Sequence, residues 1–197
     1  MSSNFYNIVS EYITKDKKVS LDLIDRYLTI NKNHSVLDVG GGTGIIAKKV
    51  SKKAGFTTII DPSISLLSKV KDENIELIKG SGTDMPIKDN KFDFVLVLNT
   101  IHHIDKGEHK QLFSEIYRVL KKNGKILVLD LSKPINFFCK IFANIDRFTS
   151  GGEIFYRNPS EIKEILKDSN FNDIIDLKIN SFFQGEKGWR YAMTASK

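Results

Sequence analysis

The chemistry of this chain is concentrated in a glycine-rich turn that follows an apolar segment containing one acid. Residues 36–44 read Val-Leu-Asp-Val-Gly-Gly-Gly-Thr-Gly, so a short run of strand-forming residues leads directly into the glycines. Glycine lets the backbone adopt positive φ and approach a ligand closely. A buried strand that ends in such a turn predicts a binding site for a nucleotide-like molecule.

The glycines fit two different cofactors, depending on the register in which they are read. In one register, Gly42-x-Gly44-x-x-Ala47 matches the dinucleotide fingerprint and Asp61 stands where its ribose-binding acid is expected, which predicts a nicotinamide cofactor. In the other register, Asp38 closes the first strand and the alternate glycines at 40, 42 and 44 form the turn. Spacing alone leaves both registers open.

A second polar segment, Asn-Thr-Ile-His-His-Ile at residues 99–104, follows another apolar run. It is expected at the carboxyl edge of the sheet, where Asn99 would line the cofactor pocket. Either His102 or His103 could accept a proton from an oxygen or nitrogen nucleophile, because imidazole titrates near neutral pH. Alternatively, one histidine orients the loop. Adding Asp105 and His109 gives no ligand spacing typical of a metal site, so no metal is predicted.

The elements that must position these residues alternate along the chain. Short, almost continuous apolar runs predict strands that are covered on both faces. These runs are Val36–Val39, Phe56–Ile60, Ile75–Ile78, Phe92–Leu98 and Ile126–Leu131. Helical stretches are predicted between them at Gly44–Ser51, Ser63–Lys69 and Glu108–Leu120. Such alternation predicts an α/β fold with a parallel sheet and helices on both sides.

Both ends of the chain carry further elements. The first 30 residues predict two short helices that cover the glycine turn. Near the other end, Asn158-Pro159 begins a helix, and Asn170 is expected to take the left-handed conformation after it. A hairpin with its turn at Gln184–Gly188 completes the chain. The segment Lys133–Arg157 is rich in aromatic residues, which could form the wall of an apolar pocket or pack on the core.

Composition narrows the class of protein. At 197 residues, 41% hydrophobic and 27% charged, the chain predicts a single globular domain. One cysteine, Cys139, excludes an internal disulfide and suits a reducing compartment. The net charge of +6 comes from scattered lysines, which disfavours nucleic acid as a partner. The absence of a leader pattern and of long apolar runs predicts a cytoplasmic protein without a membrane partner, as a monomer or a homodimer.

Several segments together resemble the class I S-adenosylmethionine-dependent methyltransferases, specifically the small single-domain kind. Val36–Gly44 is similar to the first motif of that family, and Asp61 in Ile59-Ile60-Asp61-Pro62 is similar to its ribose-binding acid. Residues 85–95 resemble the stretch before the fourth strand, and residues 119–126 the turn before the fifth. The likeness spans about residues 34–196. It implies a Rossmann-like, mostly parallel seven-stranded sheet flanked by helices, with a C-terminal antiparallel hairpin, and S-adenosyl-L-methionine as cofactor.

The resemblance also implies a role for individual residues of the cofactor site. The glycine turn would approach the methionyl part, with Asp38 placing its ammonium group, and Asp61 would bind the ribose hydroxyls. The implied cofactor-binding residues are Asp38, Gly40, Gly42, Gly44, Asp61, Pro62, Ser81, Gly82, Thr83, Asp84 and Asn99. In the adenine-reading position, Ser81-Gly82 replaces the usual acid and small residue. A backbone N–H of Gly82 or Thr83, or the carboxylate of Asp84, would have to substitute.

These features predict methyl transfer to a small-molecule acceptor, by in-line positioning with possible deprotonation by His102 or His103. Tyr6, Tyr12, Tyr156 and Arg157 are candidate acceptor contacts. Residues 1–32 would form a helical cap, 34–131 the cofactor-binding core, 133–157 the acceptor side, and 158–197 the helix and hairpin. The alternatives are an RNA or protein methyltransferase, a nicotinamide-dependent oxidoreductase and a non-catalytic cofactor-binding protein.

Overall fold

A seven-stranded sheet forms the centre of the protein. The computed structural model describes residues 3–150, 152–179 and 189–197, without the side chains of residues 3–13, 138, 149 and 150. The strands are β1 Ser35–Val39, β2 Phe56–Asp61, β3 Ile75–Lys79, β4 Phe92–Leu98, β5 Leu120–Leu131, β6 Asn172–Asp176 and β7 Arg190–Ser196. The helices are α1 Ser3–Tyr27, α2 Ala47–Val50, α3 Ile64–Leu67, α4 His109–Val119, α5 Phe137–Ser150 and α6 Pro159–Asp168.

The strand order in the sheet is β3-β2-β1-β4-β5-β7-β6. The pairs from β3 to β5 are parallel, whereas β7 runs antiparallel to both β5 and β6. This confirms the predicted mostly parallel sheet with a C-terminal antiparallel hairpin. The insertion of β7 between β5 and β6 distinguishes the sheet from a plain dinucleotide-binding fold. The predicted turn of the hairpin, Gln184–Gly188, lies outside the described residues.

Helices cover both faces of the sheet, because alternate residues of the central strands enter different cores. On β5, Ile126 and Val128 pack with α4 and α6, whereas Leu127 and Leu129 pack with α1. Both sets are buried. This two-sided burial explains why the strand sequences are almost continuously apolar.

The amino-terminal region is one helix, α1, where two short helices were predicted. Residues 3–27 contain neither glycine nor proline, so nothing in the chain interrupts helical hydrogen bonding. The carboxyl half of α1 buries Val19, Leu23 and Ile24 against the sheet. None of the helices in the described ranges combines the length and apolar character that a membrane span requires.

Other boundaries differ by a few residues from the predictions. The helices α2 and α3 are single turns, shorter than the predicted Gly44–Ser51 and Ser63–Lys69. The helix α6 agrees with its predicted start, since Glu161 accepts the Asn158 N–H at 2.7 Å. Asn170 has φ 68° and ends that helix in the left-handed conformation, as predicted.

The aromatic segment 133–157 contains the amphipathic helix α5. Its buried side, with Cys139 and Ala143, packs against Leu131 at the end of β5 and Trp189 before β7. Its other side is open to solvent, and the side chain of Phe148 is 88% exposed. The segment therefore packs on the core while it leaves one helix face uncovered by the described residues.

Candidate active site

The polar residues singled out above meet at the carboxyl edge of the sheet. The strand β1 pairs with β2 on one side and with β4 on the other. The strand order therefore reverses direction at β1. Open α/β sheets bind ligands in the crevice that such a reversal creates. The glycine loop, Asp61 and the segment 99–104 all surround this crevice.

The glycine loop is held in a conformation that side chains disfavour. Gly40, Gly42 and Gly44 have φ of 70°, 52° and 72°. The Gly40 N–H donates to the Ile60 carbonyl at 2.8 Å, and the Gly42 N–H donates to Asp61 Oδ2 at 2.9 Å. These bonds fasten the loop to β2 and keep its backbone close to the crevice.

Gly40 also lies against the loop that follows β4. A Cβ at this position would stand 2.4 Å from Thr100 Cγ2, so no larger residue fits there. The Thr100 hydroxyl donates to the Val39 carbonyl at 3.0 Å. Thr100 thus joins the two loops, a role that its neighbours in the sequence do not indicate.

Two buried carboxylates lie beside the glycine loop. Asp38 is 3% exposed and Asp61 is 6% exposed. Burial and, secondarily, the charge of Asp61 raise the pKa of Asp38 to about 7. Asp61 accepts N–H groups from Gly42 and, at 2.8 Å, Ser63. Among the described residues, none donates a hydrogen bond to the Asp38 carboxylate and no lysine or arginine pairs with either acid.

The two adjacent histidines differ sharply in environment. His102 is 2% exposed; its Nδ1 contacts Asp130 Oδ1 and its Nε2 lies 3.0 Å from Asp146 Oδ2. Burial alone would lower the pKa of His102, but the charges and hydrogen bonds of the two carboxylates outweigh it and raise the pKa to about 10. An imidazole that is protonated at neutral pH does not suit a proton acceptor, so the structure disfavours the predicted base role of His102.

His103 is the accessible member of the pair. Its Nε2 lies 3.9 Å from Asp146 Oδ2, and its ring centroid is 4.1 Å from that of His102. Burial and the positive charge of His102 lower the pKa of His103. His103 is therefore unprotonated at neutral pH and chemically able to accept a proton.

A cavity of about 460 Å³ lies between α5 and the chain that follows it. It is lined by Pro134, Lys140, Ala143, Asn144, Arg147, Glu153, Ile154 and Tyr156. Burial and the charge of Asp146 raise the pKa of Tyr156 to about 12, which keeps its hydroxyl protonated. One wall of the cavity is α5 and the other is the chain that follows it.

Comparisons with known proteins agree with this geometry. A family model described as "Methyltransferase domain" matches residues 37–128. The Ubiquinone/menaquinone biosynthesis C-methyltransferase of Wigglesworthia glossinidia brevipalpis is 34% identical over 60% of this chain and 51% of that protein. The Demethylmenaquinone methyltransferase of Staphylococcus aureus MRSA252 is 27% identical over 92% of this chain and 87% of that protein. The family model and these relatives support a class I S-adenosylmethionine-dependent methyltransferase.

Solved structures show the same fold. A SAM-dependent methyltransferase from Archaeoglobus fulgidus superposes with a TM-score of 0.71 at 17% identity, over 98% of this chain and all (100%) of that one. Phosphoethanolamine N-methyltransferase 2 of Haemonchus contortus gives 0.72 at 19% identity over 90% of this chain and 52% of that one. The chain spans about half the length of the first curated relatives it matches (51% and 45%).

The two carboxylates fit S-adenosylmethionine, the molecule bound in the structure of the Haemonchus contortus protein. The ammonium of its methionyl part would supply the cation that Asp38 lacks among the described residues, and its ribose diol would supply donors to Asp61. Pro62, beside Asp61, is exposed and borders the same crevice.

The adenine-reading segment is folded on itself. Ser81 Oγ accepts the Thr83 N–H at 3.1 Å, and the Ser81 carbonyl accepts the Asp84 N–H at 3.3 Å. These two N–H groups are therefore in use within the turn. Gly82 is buried between Leu112 and Val39, where a Cβ would be 2.8 Å from each side chain. Asp84 is exposed, and its role toward adenine stays a prediction, as does that of the Gly82 N–H.

Asn99 is held by residues from distant elements of the chain. It adopts φ 53°, and its amide donates to Asp16 Oδ2 at 2.8 Å. Arg190 donates to Asn99 Oδ1 at 3.4 Å and forms an ion pair with Asp16. The contacts join α1 to the edge of the cofactor crevice. Neither Asp16 nor Arg190 carries a local motif that could have indicated this role.

The predicted acceptor contacts have different outcomes. Tyr156 lines the cavity. Arg157 donates to His109 at 3.2 Å, to Glu161 at 2.8 Å and to the Lys106 carbonyl at 2.9 Å, which favours a structural role over the predicted acceptor contact. The side chains of Tyr6 and Tyr12 lie outside the described residues.

Proposed function

We propose that this methyltransferase transfers the methyl group of S-adenosylmethionine to a ring carbon of a small hydroxylated aromatic acceptor of the quinol type. The observation that carries this acceptor class is the match to a Demethylmenaquinone methyltransferase over most of both chains. The cavity between α5 and the chain after it supports this class, since Tyr156, Ala143 and Ile154 offer an apolar and aromatic lining and Lys140 and Arg147 add cationic side chains.

The cofactor supplies a methyl group that its sulfonium makes electrophilic. The remaining requirements fall to the protein, which must place the acceptor, ionise its hydroxyl and keep water out. Asp38 and Asp61 would hold the two ends of the cofactor, and the loop of Gly40, Gly42 and Gly44 would hold its centre. The acceptor would lie between this loop and α5.

His103 is the proposed proton acceptor. Its pKa is lowered, so at neutral pH one of its ring nitrogens offers a lone pair. Removing the proton from an acceptor hydroxyl pushes electron density into the aromatic ring, which makes a ring carbon nucleophilic. After transfer, the methylated ring carbon must lose its hydrogen as a proton to restore aromaticity, and the proton held by His103 returns to the ring oxygen. One proton is therefore released to solvent for each methyl group transferred. We also propose that residues 34–131 bind the cofactor, that 133–157 face the acceptor and that 1–32 form a cap.

Binding and turnover test the two parts of the proposal separately. Calorimetry should show tight binding of S-adenosylhomocysteine and none of NADH, and the reverse result would contradict the cofactor assignment. Radiolabelled S-adenosylmethionine with a short-chain naphthoquinol should give a product whose label is on carbon. Cofactor binding without turnover of quinols, together with labelling of RNA or protein, would contradict the acceptor class.

A further inference from the structure

We infer that His102 is a positioning residue whose ring is shared by Asp130 of β5 and Asp146 of α5. In this arrangement it fastens both walls of the cavity to the sheet and leaves His103 as the accessible histidine. The positive charge of His102 and its contacts with Asp130 and Asp146 do not depend on the identity of the acceptor. Only the predicted effect on kcat rests on the proposed function.

The hydrogen-bond partners of His102 determine its charge. Ionised carboxylates only accept hydrogen bonds, and a neutral imidazole has a single N–H. Both ring nitrogens of His102 lie within hydrogen-bond distance of a carboxylate oxygen. Each nitrogen must therefore carry a proton, which makes the ring an imidazolium.

The hydrogen bonds that Asp130 accepts keep its carboxylate ionised. Its Oδ2 accepts the N–H groups of Thr100 at 3.0 Å and Ile101 at 2.6 Å, and its Oδ1 accepts the Leu131 N–H at 2.6 Å. Burial opposes ionisation, but the charge of His102 and these bonds outweigh it and lower the pKa of Asp130. The buried acid therefore gives the imidazolium a fixed partner.

The groups that face this cluster from other elements do not replace the imidazolium. Tyr156 and Tyr191 are both affected by the charge of Asp130, and both have raised pKa values, so they are neutral. Burial lowers the pKa of His109, and its Nε2 lies 2.8 Å from the Ile104 carbonyl. His103 is neutral as well. The imidazolium is thus a cation that contacts both acids.

His102 reaches both walls of the cavity. Its side chain holds Asp146 on α5, and its carbonyl accepts the Phe155 N–H at 2.8 Å in the chain after α5. The cavity-lining residues Asn144 and Arg147 flank Asp146, and Ile154 and Tyr156 flank Phe155. Loss of the imidazolium would therefore loosen the two segments that shape the cavity.

Nuclear magnetic resonance tests the charge directly. With ¹⁵N-histidine label, one of the four histidines should keep both ring protons up to about pH 9, and His102→Gln should remove that signal. A His102 ring that titrates near pH 6.5, or that has one N–H at pH 7.5, would overturn the inference.

Hydrogen exchange tests the fastening. Asp146→Asn keeps the size of the side chain and one acceptor oxygen but removes the charge. The side chain of Asp146 is half-buried, so the fold should survive the substitution. Exchange of α5 amides should accelerate about tenfold or more, with α6 unchanged. Asp168→Asn, the same substitution at an exposed position of α6, is the matched control. Unchanged α5 exchange in Asp146→Asn would contradict the fastening role.

A pH–rate profile separates positioning from a merely structural role. Without the positive charge of His102, the carboxylate of Asp146 should raise the pKa of His103, so the acid limb of kcat in His102→Gln should move to higher pH. The value of kcat should also fall about 10- to 100-fold, with the KM for the cofactor unchanged. An equal loss at every pH would contradict the link between the two histidines.

A metal ion bound by the same atoms is the alternative to the imidazolium, and metal titration distinguishes the two. Ligand atoms of His102, His103 and Asp146 lie within 4.8 Å of one another. Asp130 contacts the other ring nitrogen of His102, as carboxylates often do for metal-bound histidines. Titration with Zn²⁺ and Ni²⁺ should show no stoichiometric binding that His102→Gln abolishes. Such binding would replace the imidazolium by a metal and overturn the inference.

Discussion

Asp38 near the end of β1 is buried beside Asp61 at the end of β2, and this burial, followed by the repulsion of the Asp61 charge, raises the pKa of Asp38 to about 7. A cofactor that carries an ammonium group would stabilise the ionised form of Asp38 and drive its proton off. Two buried acids without a cation among the described residues therefore indicate a site completed by its ligand.

The first prediction concerns the pH dependence of cofactor binding. The pKa of Asp38 is about 7 in the free protein and should be lower in the complex. S-adenosylhomocysteine should therefore bind more tightly as the pH rises from 5.5 to 8, with proton release near pH 7. Calorimetry in two buffers of different ionisation enthalpy measures that release. Asp38→Asn should abolish it, whereas Asp168→Asn should not; release that persists in Asp38→Asn would refute the assignment.

The second prediction is that Asp38 lowers the stability of the ligand-free protein. Its folded pKa of about 7 exceeds the ordinary value of 3.8, so the folded state binds more protons and stability falls as the pH rises between these values. At pH 8, Asp38→Asn should raise the free energy of unfolding by on the order of 2 kcal/mol. The gain should shrink at pH 5. Denaturant unfolding at the two pH values measures it, and equal stability at pH 8 would contradict the buried charge.

The third prediction separates the two roles of Asp61. Asp61→Asn keeps one acceptor oxygen and replaces the other by an NH2 group, so it retains only one of the bonds from the Gly42 and Ser63 N–H groups and loses the charge that would bind the ribose. It should weaken S-adenosylhomocysteine binding by about 1–3 kcal/mol. Asp61→Ala loses both bonds and should lower the melting temperature more than Asp61→Asn does. Unaltered affinity in both variants would exclude the ribose role.

The fourth prediction concerns the loop backbone. Gly40→Ala combines a φ of 70° with a Cβ 2.4 Å from Thr100 Cγ2, so it should destabilise the fold by about 1–3 kcal/mol and weaken cofactor binding. Gly152→Ala is the matched control, because nothing lies within 4 Å of its added Cβ. Thermal unfolding with and without S-adenosylhomocysteine measures both effects. Similar behaviour of the two variants would show that the loop is not tightly fitted.

Local chemistry explains which parts of this site could be predicted from the sequence. The turn at 36–44 and Asp61 combine strand formers, glycines and an acid within short segments, so their interpretation needs no tertiary information. The sheet followed from apolar runs for the same reason. By contrast, α1 was divided in two because its polar middle, residues 14–18, breaks the apolar pattern without breaking the helix.

Tertiary chemistry explains what could not be predicted. His102, Asp130 and Asp146 are separated by up to 44 positions in the chain and meet only when β5 and α5 pack together. Two adjacent histidines look equivalent in the sequence, but the fold buries one between carboxylates and leaves the other accessible. The pairing of Arg157 with Glu161 and His109 is hidden for the same reason.

The last prediction concerns His103 as the proton acceptor. His103→Gln keeps a polar side chain of similar reach but cannot take a proton, so kcat should fall about 100-fold or more, because a positioned base contributes that much. In the unsubstituted protein, kcat should be constant above pH 7 and fall at lower pH as His103 becomes protonated, since its pKa lies below the ordinary value of 6.5. S-adenosylhomocysteine affinity should not change, since Asp38 and Asp61 are untouched. An acceptor presented as its preformed phenolate should recover much of the lost rate, because it no longer needs a base. A variant that retains the original rate and pH profile would show that the acceptor loses its proton elsewhere.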